Sequence, residues 1–279
     1  MVRSLSDDDS VGGGVPGSAD GTPGPPRRQP ADPAPKAFIR IFNIGRPLLK
    51  AMCRFEWYGT ENLPAEGGFI AAANHSSNLD PLTFSLFLVD NGYTPRILAK
   101  RSLFTTPVIG SIMRATHMIP VDRGTEKAGE SLAAAAAELE KGACVALYPE
   151  GTLTRDPDYW PMEGKTGVAR MAFASRVPVI PIGQWGVTDV LDRYSKVLKP
   201  FGKKKRVQLR VGAPVDLSDL YTEEPSAEVL REATSRVMDA ISDLVGESRG
   251  ETPPKPRFDL RQHPANKKKQ THYPPTERP

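Results

Sequence analysis

Apolar and polar positions along this chain switch repeatedly between a helical and an extended period. In residues 37–57 the apolar residues Phe38, Ile41, Phe42, Leu48, Leu49 and Met52 recur at helical spacing, with Arg40, Arg46, Lys50 and Arg54 on the opposite side. A basic amphipathic helix of this kind suits a lipid interface. It equally suits a surface helix packed on a protein core. Pro47 lacks an amide donor and crowds the preceding turn, so two short helices are expected here rather than one. Beyond it, residues 67–73 read as a strand leading into Asn74-His75. Residues 81–88 read as a helix with Asp80 in its cap region and Pro81 in its first turn. Further strands are expected at 96–99, 117–121, 144–148, 177–182 and 206–211. Helices are expected at 125–141, 165–175 and 226–245, and residues 102–115 read as helical or irregular. Strands alternating with helices predict an α/β domain.

Composition narrows where that domain lies. Residues 1–36 are rich in Pro, Gly, Asp and Ser and nearly devoid of large apolar side chains. Such a segment buries too little surface to offset its chain entropy, and a disordered N-terminal tail is expected. Residues 247–279, Pro-rich and carrying Lys267-Lys268-Lys269, read as a disordered basic C-terminal tail. The folded unit is then residues 37–246. Of the net charge of +4, the N-terminal segment contributes −1, the central segment +1 and the C-terminal segment +4. A basic tail is attracted to anionic lipid or nucleic acid, and it also occurs as a plain solvated tail. No nucleic-acid partner is expected. Cys53 and Cys144 have neither metal-ligand spacing nor a disulfide framework, so no metal is expected, and the reducing compartment is the natural one. No secretory signal pattern opens the chain, and no apolar run approaches the ~20 residues that span a bilayer.

The chemistry is concentrated at strand ends. In Asn74-His75-Ser76-Ser77-Asn78-Leu79-Asp80, a His ends a strand and an Asp follows five positions later at a helix start. The chain can turn back there so that the carboxylate holds one imidazole nitrogen and leaves the other to take a proton. The same spacing also describes a structural histidine satisfied by a capping Asp. No motif for an activated Ser or Cys accompanies the pair, which points to a hydroxyl supplied by the substrate as nucleophile. Three further segments stand out: Ile119-Pro120-Val121-Asp122-Arg123-Gly124, Tyr148-Pro149-Glu150-Gly151-Thr152 and Val177-Pro178-Val179-Ile180-Pro181-Ile182-Gly183. Two competing motifs fail. Gly246-Glu247-Ser248-Arg249-Gly250 trails a helix, whereas a nucleophile elbow needs a strand before it. Gly164-Lys165-Thr166 resembles the end of a phosphate loop, but Tyr159 stands where the first Gly is required.

These four blocks, in this order and at these separations, resemble the glycerolipid acyltransferases, specifically the 1-acyl-glycerol-3-phosphate acyltransferases. His75 and Asp80 match the family's catalytic pair, Arg123 its second block, Glu150-Gly151-Thr152 its third and Val179-Ile180-Pro181 its fourth. Ile97-Leu98-Ala99-Lys100 with Leu103-Phe104 matches its lysine segment. The resemblance covers residues 55–215. It implies a central mixed sheet flanked by helices, with the N-terminal amphipathic segment at a membrane surface, peripheral or monotopic on the cytoplasmic face. It further implies direct acyl transfer from acyl-CoA or acyl-carrier protein to a lysophospholipid hydroxyl, without a cofactor. His75 is then the base, oriented by Asp80, with backbone amides stabilising the oxyanion, and Lys100 and Arg123 hold the acceptor phosphate. Glu150, Gly151, Thr152 and Arg155 complete the implied substrate site. The chain departs from the family at the third block, where Leu153-Thr154 precede Arg155, and this puts the acceptor head group in question.

Overall fold

The structure is a computed structural model, which describes residues 35–122, 128–221 and 224–273. The chain opens with helix α1 (Lys36–Met52), followed directly by strand β1 (Cys53–Tyr58). Next come β2 (Phe69–Ala73), α2 (Asp80–Asp90), β3 (Pro95–Lys100), α3 (Arg101–Phe104), α4 (Pro107–Ala115) and β4 (Ile119–Val121). The remainder is α5 (Ala128–Glu140), β5 (Cys144–Leu147), α6 (Gly167–Ser175), β6 (Val179–Trp185), β7 (Lys205–Val211) and α7 (Ala227–Arg249).

The strands form a seven-stranded sheet in the order β1-β7-β6-β2-β5-β3-β4. Neighbours from β6 to β4 are parallel, β6 and β7 are antiparallel, and β1 runs parallel to β7. The sheet is therefore mixed, as the resemblance implies. A consequence follows for function. The carboxyl ends of β6, β2, β5, β3 and β4 all open on one edge, the place where α/β sheets carry their sites.

Strand β2 shows why this sheet is central. Its side chains alternate between two buried layers. Phe69, Ala71 and Ala73 join the cluster under α1 and α2, which includes Phe84, Phe87 and Leu209. Ile70 and Ala72 join the opposite cluster, with Met171, Val237 and Ile241 from α6 and α7. Close helix approach also depends on Gly183 in β6, where an added Cβ would sit 2.6 Å from the Leu244 side chain of α7.

Three expectations are corrected. Pro47 does not divide the first helix, which runs unbroken from Lys36 to Met52. Both halves are anchored: Phe38 stacks on Phe42 with centroids 4.6 Å apart, Leu49 and Met52 are buried, and Arg46 pairs with Asp90 at 2.5 Å. The apolar stripe is accordingly spent mostly on the protein, since Phe38, Leu49 and Met52 lie in the core while Ile39, Ile44 and Leu48 stay exposed. Residues 53–58, read with the amphipathic segment, are strand β1, paired with β7. Finally, the chain past residue 247 is ordered through 273. After α7 it runs as a strap that buries Phe258, Asn266 and Tyr273. Among the described residues no helix is long and apolar enough to cross a membrane.

Candidate active site

Strand β2 ends at Ala73, and Asn74 locks the exit. Its side-chain amide donates to the Gln184 carbonyl at 2.9 Å and accepts from the Gln184 amide at 2.7 Å, tying the ends of β2 and β6 together. His75 follows. Its Nδ1 lies 3.0 Å from Asp80 Oδ2. The same oxygen accepts the backbone N–H of Ser76 at 2.5 Å and of Ser77 at 2.7 Å. Asp80 is the first residue of α2, fully buried, where exposed peptide N–H groups favour a negative charge. The turn from 75 to 80 thus closes on a single carboxylate oxygen, while Oδ1 has no partner. With Nδ1 held, Nε2 is the nitrogen left to exchange a proton, on an imidazole that is 17% exposed.

The third block comes off the end of β5 and wraps this turn. Tyr148 stacks on the His75 ring, with centroids 4.1 Å apart and planes 15° apart, and its other neighbour is Phe84. Glu150 is fully enclosed and bridges two backbones: Oε1 accepts from His75 N at 2.8 Å and Oε2 from Met162 N at 3.1 Å. Burial pushes its carboxyl up to about 8, against the downward pull of those two amides. The Thr154 amide donates to the His75 carbonyl at 2.6 Å. The catalytic candidate is therefore held through its ring, its amide and its carbonyl. Gly151 has φ +70°, a left-handed conformation that favours glycine, and its Cα faces the Lys165 side chain. Thr152 Oγ1 lies 3.2 Å from the Tyr194 hydroxyl.

The structure brings His75, Asp80, Glu150, Gly151 and Thr152 together. Glu150 acts there through the backbone of His75, because both its oxygens are occupied by main-chain amides. Lys100 is exposed at the carboxyl end of β3, on the same sheet edge. Arg123 lies outside the described residues, directly after Asp122, which pairs with Arg101. Arg155 faces the C-terminal strap. Its guanidinium is buried and turned away, donating to the carbonyls of Asn266 at 3.1 Å and of Lys267, while Asn266 Nδ2 returns a bond to the Arg155 carbonyl at 3.1 Å. It holds the strap.

Sequence reasoning missed two parts of this region. Arg193 is fully buried and donates to the carbonyls of Thr154, Asp156, Pro157 and Thr271 between the stacked rings of Tyr159 and Tyr273. No sequence signal marks it. Tyr148 had a signal, as the last aromatic before Pro149, but the stacking partner could not be read. An open cleft of about 1270 Å³ between α6, α7 and the strap meets the site at Glu150 and Thr152 and is not lined by His75.

A sequence model described as Acyltransferase matches residues 54–185, the stretch from β1 to the end of β6. This stretch holds the whole His75–Asp80–Glu150 arrangement. Residues 54–185 belong to the Acyltransferase family. Among curated relatives, the chain is 29% identical over 188 residues to the 1-acyl-sn-glycerol-3-phosphate acyltransferase of Bacillus subtilis, covering 67% of this chain and 86% of that one. It is 32% identical over 135 residues to the chloroplastic 1-acyl-sn-glycerol-3-phosphate acyltransferase BAT2 of Brassica napus, covering 48% of this chain and 38% of that one. The crystal structure of the 1-acyl-sn-glycerophosphate acyltransferase from Thermotoga maritima superimposes with a TM-score of 0.55 at 24% identity, over 76% of this chain and 80% of that one. That likeness establishes the fold.

Proposed function

We propose that this acyltransferase moves a fatty acyl group from acyl-CoA or acyl-carrier protein onto the hydroxyl of lysophosphatidic acid, giving phosphatidic acid in phospholipid synthesis. The observation that carries the reading is the His75 Nδ1–Asp80 Oδ2 contact of 3.0 Å, with no serine or cysteine side chain hydrogen-bonded to His75 among the described residues. Cys53 and Cys144 are buried in the core, and the Ser77 hydroxyl donates to the Leu191 carbonyl at 2.5 Å. The nucleophile is then the acceptor's own hydroxyl. His75 Nε2 takes its proton as the oxygen attacks the thioester carbonyl, and Asp80 stabilises the imidazolium. The tetrahedral intermediate collapses with cleavage of the C–S bond, and the imidazolium returns the proton to the leaving thiolate. The new ester and a free thiol result. The names of the relatives support the acceptor. Lys100, the last residue of β3, and Arg123, two residues after β4, would clamp its phosphate, with the planar fork of Arg suited to bidentate contact.

A second reading is favoured by Arg155. A chain whose third-block arginine is occupied by the strap has one cation fewer for a phosphate, which suits another lipid or glycolipid acceptor. The test is turnover of purified protein with an acyl-CoA donor on lysophosphatidic acid and on its dephosphorylated monoacylglycerol counterpart. Strong preference for the phosphate-bearing acceptor supports the first reading, and equal efficiency replaces it with the second. The protein is expected to work as a peripheral enzyme on the cytoplasmic face of a membrane.

A further inference from the structure

The segment between β6 and β7 combines two properties that soluble surfaces keep apart. It carries three exposed large apolar side chains close together: Val197 at 68%, Leu198 at 47% and Phe201 at 89%. Around them stand Lys196, Lys199, Lys203 and Lys204, all exposed, and no carboxylate occurs anywhere from residue 193 to 215. An exposed aromatic residue contacts nothing that offsets its hydration cost, and a block of lysines without acids repels itself. A surface that removes Phe201 from water and presents anionic groups to the lysines relieves both. The headgroup layer of an anionic bilayer does this, with the apolar tips at acyl depth and the ammonium groups among the phosphates.

The base of this segment is fixed to the candidate active site. The Leu191 carbonyl accepts from Ser77 Oγ, one residue from the His75–Ser76 turn, and Tyr194 OH meets Thr152 Oγ1 at 3.2 Å. Asp192 Oδ1 accepts from Tyr159 OH at 2.7 Å, and the Lys199 amide donates back to the Val190 carbonyl at 2.8 Å. A tip that enters a membrane therefore carries the catalytic turn with it.

We propose that the 194–204 loop is a lipid-docking element, in which Val197, Leu198 and Phe201 insert at an anionic bilayer surface and the flanking lysines bind its headgroups, seating the His75 turn at the lipid. The inference deepens the lysolipid reading above, yet its test involves no turnover, so either can fail without the other.

The test uses the full chain. Cys53 and Cys144 are buried, so Phe201→Cys can be labelled selectively with a polarity-sensitive fluorophore. Vesicles of phosphatidylcholine containing phosphatidylglycerol should move the label to an apolar environment, and pure phosphatidylcholine vesicles should do so far less. In cosedimentation at low salt, the triple variant K199Q/K203Q/K204Q should lose on the order of a hundred-fold in partitioning, about five-fold per lysine. Phe201→Ser should lose about ten-fold. Thermal melting of each variant establishes that it is folded. A label that stays in water beside anionic vesicles, or variants that partition like wild type, would overturn the proposal. So would a label that responds to protein concentration without vesicles, since the covering partner would then be a second copy of the chain.

Discussion

The imidazole of His75 lies flat against the ring of Tyr148, with planes 15° apart and centroids 4.1 Å apart, while the Tyr148 hydroxyl is buried without a hydrogen-bond partner. The contact is therefore one of ring faces. It fixes the plane of the base from the side that Asp80 does not reach. Burial holds the phenol well above its usual pKa, so it stays a neutral wall at any working pH. Tyr148→Phe should keep turnover near wild type and raise the melting temperature slightly, because an unpaired buried hydroxyl costs about 1–3 kcal/mol. Tyr148→Ala should lower kcat and leave the fold weaker by about 3–5 kcal/mol. A strong loss of kcat in folded Tyr148→Phe would mean that the hydroxyl takes part in the reaction.

The geometry at Asp80 separates charge from orientation. All three donors meet at Oδ2, so an asparagine with its carbonyl oxygen there keeps every hydrogen bond and removes only the charge. Asp80→Ala should cost about 10²–10⁴-fold in kcat, and His75→Ala should abolish transfer in a folded protein. Asp80→Asn should fall between wild type and Asp80→Ala. If Asp80→Asn matches Asp80→Ala in side-by-side kcat measurements, orientation contributes nothing beyond charge.

Glu150 makes stability depend on pH in the direction opposite to a salt-bridged carboxylate. Its folded pKa is raised to about 8, so over the window from the ordinary carboxylate range to about 8 the folded chain keeps a proton that the unfolded chain has released. Stability therefore falls as pH rises through that window and levels off above it. Glu150→Gln should melt lower overall, because its amide nitrogen opposes one of the two main-chain N–H donors. Its melting temperature should also lose this group's share of the decline. Melting curves from pH 5 to pH 9 on both proteins check the slope, and an unchanged slope would assign the pH dependence elsewhere.

Arg155 and Arg193 should act on stability. Arg193→Met leaves four carbonyls, two of them buried, without their charged donor and should cost about 3 kcal/mol or more. Arg155→Ala should cost about 1.5–3 kcal/mol through the loss of its bonds to the strap, with acceptor KM at the wild-type level. Urea unfolding set beside acceptor KM distinguishes this from a substrate contact, for which KM would rise and stability would hold.

Arg123 carries the opposite expectation. Arg123→Ala should raise acceptor KM about ten- to a hundred-fold and leave donor KM unchanged, as loss of a hydrogen bond to an ionised group does. Arg123→Lys should recover only part of the loss. Equal changes in both KM values would remove it from the acceptor site.

By itself the sequence determined the order of the elements around the site and the placing of His75 and Asp80 at a strand end and a helix start. Periodicity and turn chemistry are local, and five residues suffice to close the His–Asp turn. It also carried the four blocks that mark the family. Tertiary structure alone decided which side of α1 faces protein, since a helical stripe states which residues share a face and not what covers it. It decided that β1 is a strand, because its partner β7 lies about 150 residues away. It decided that Glu150 spends both oxygens on the backbone of 75 and 162, and that Arg155 faces 266 and 267. Such bonds join segments whose separation along the chain is unrelated to their separation in space. The ordered strap makes the same point: with few apolar residues it cannot fold alone, and Phe258 and Tyr273 become buried because a finished surface already holds Met162, Arg193 and Arg155 in place to receive them.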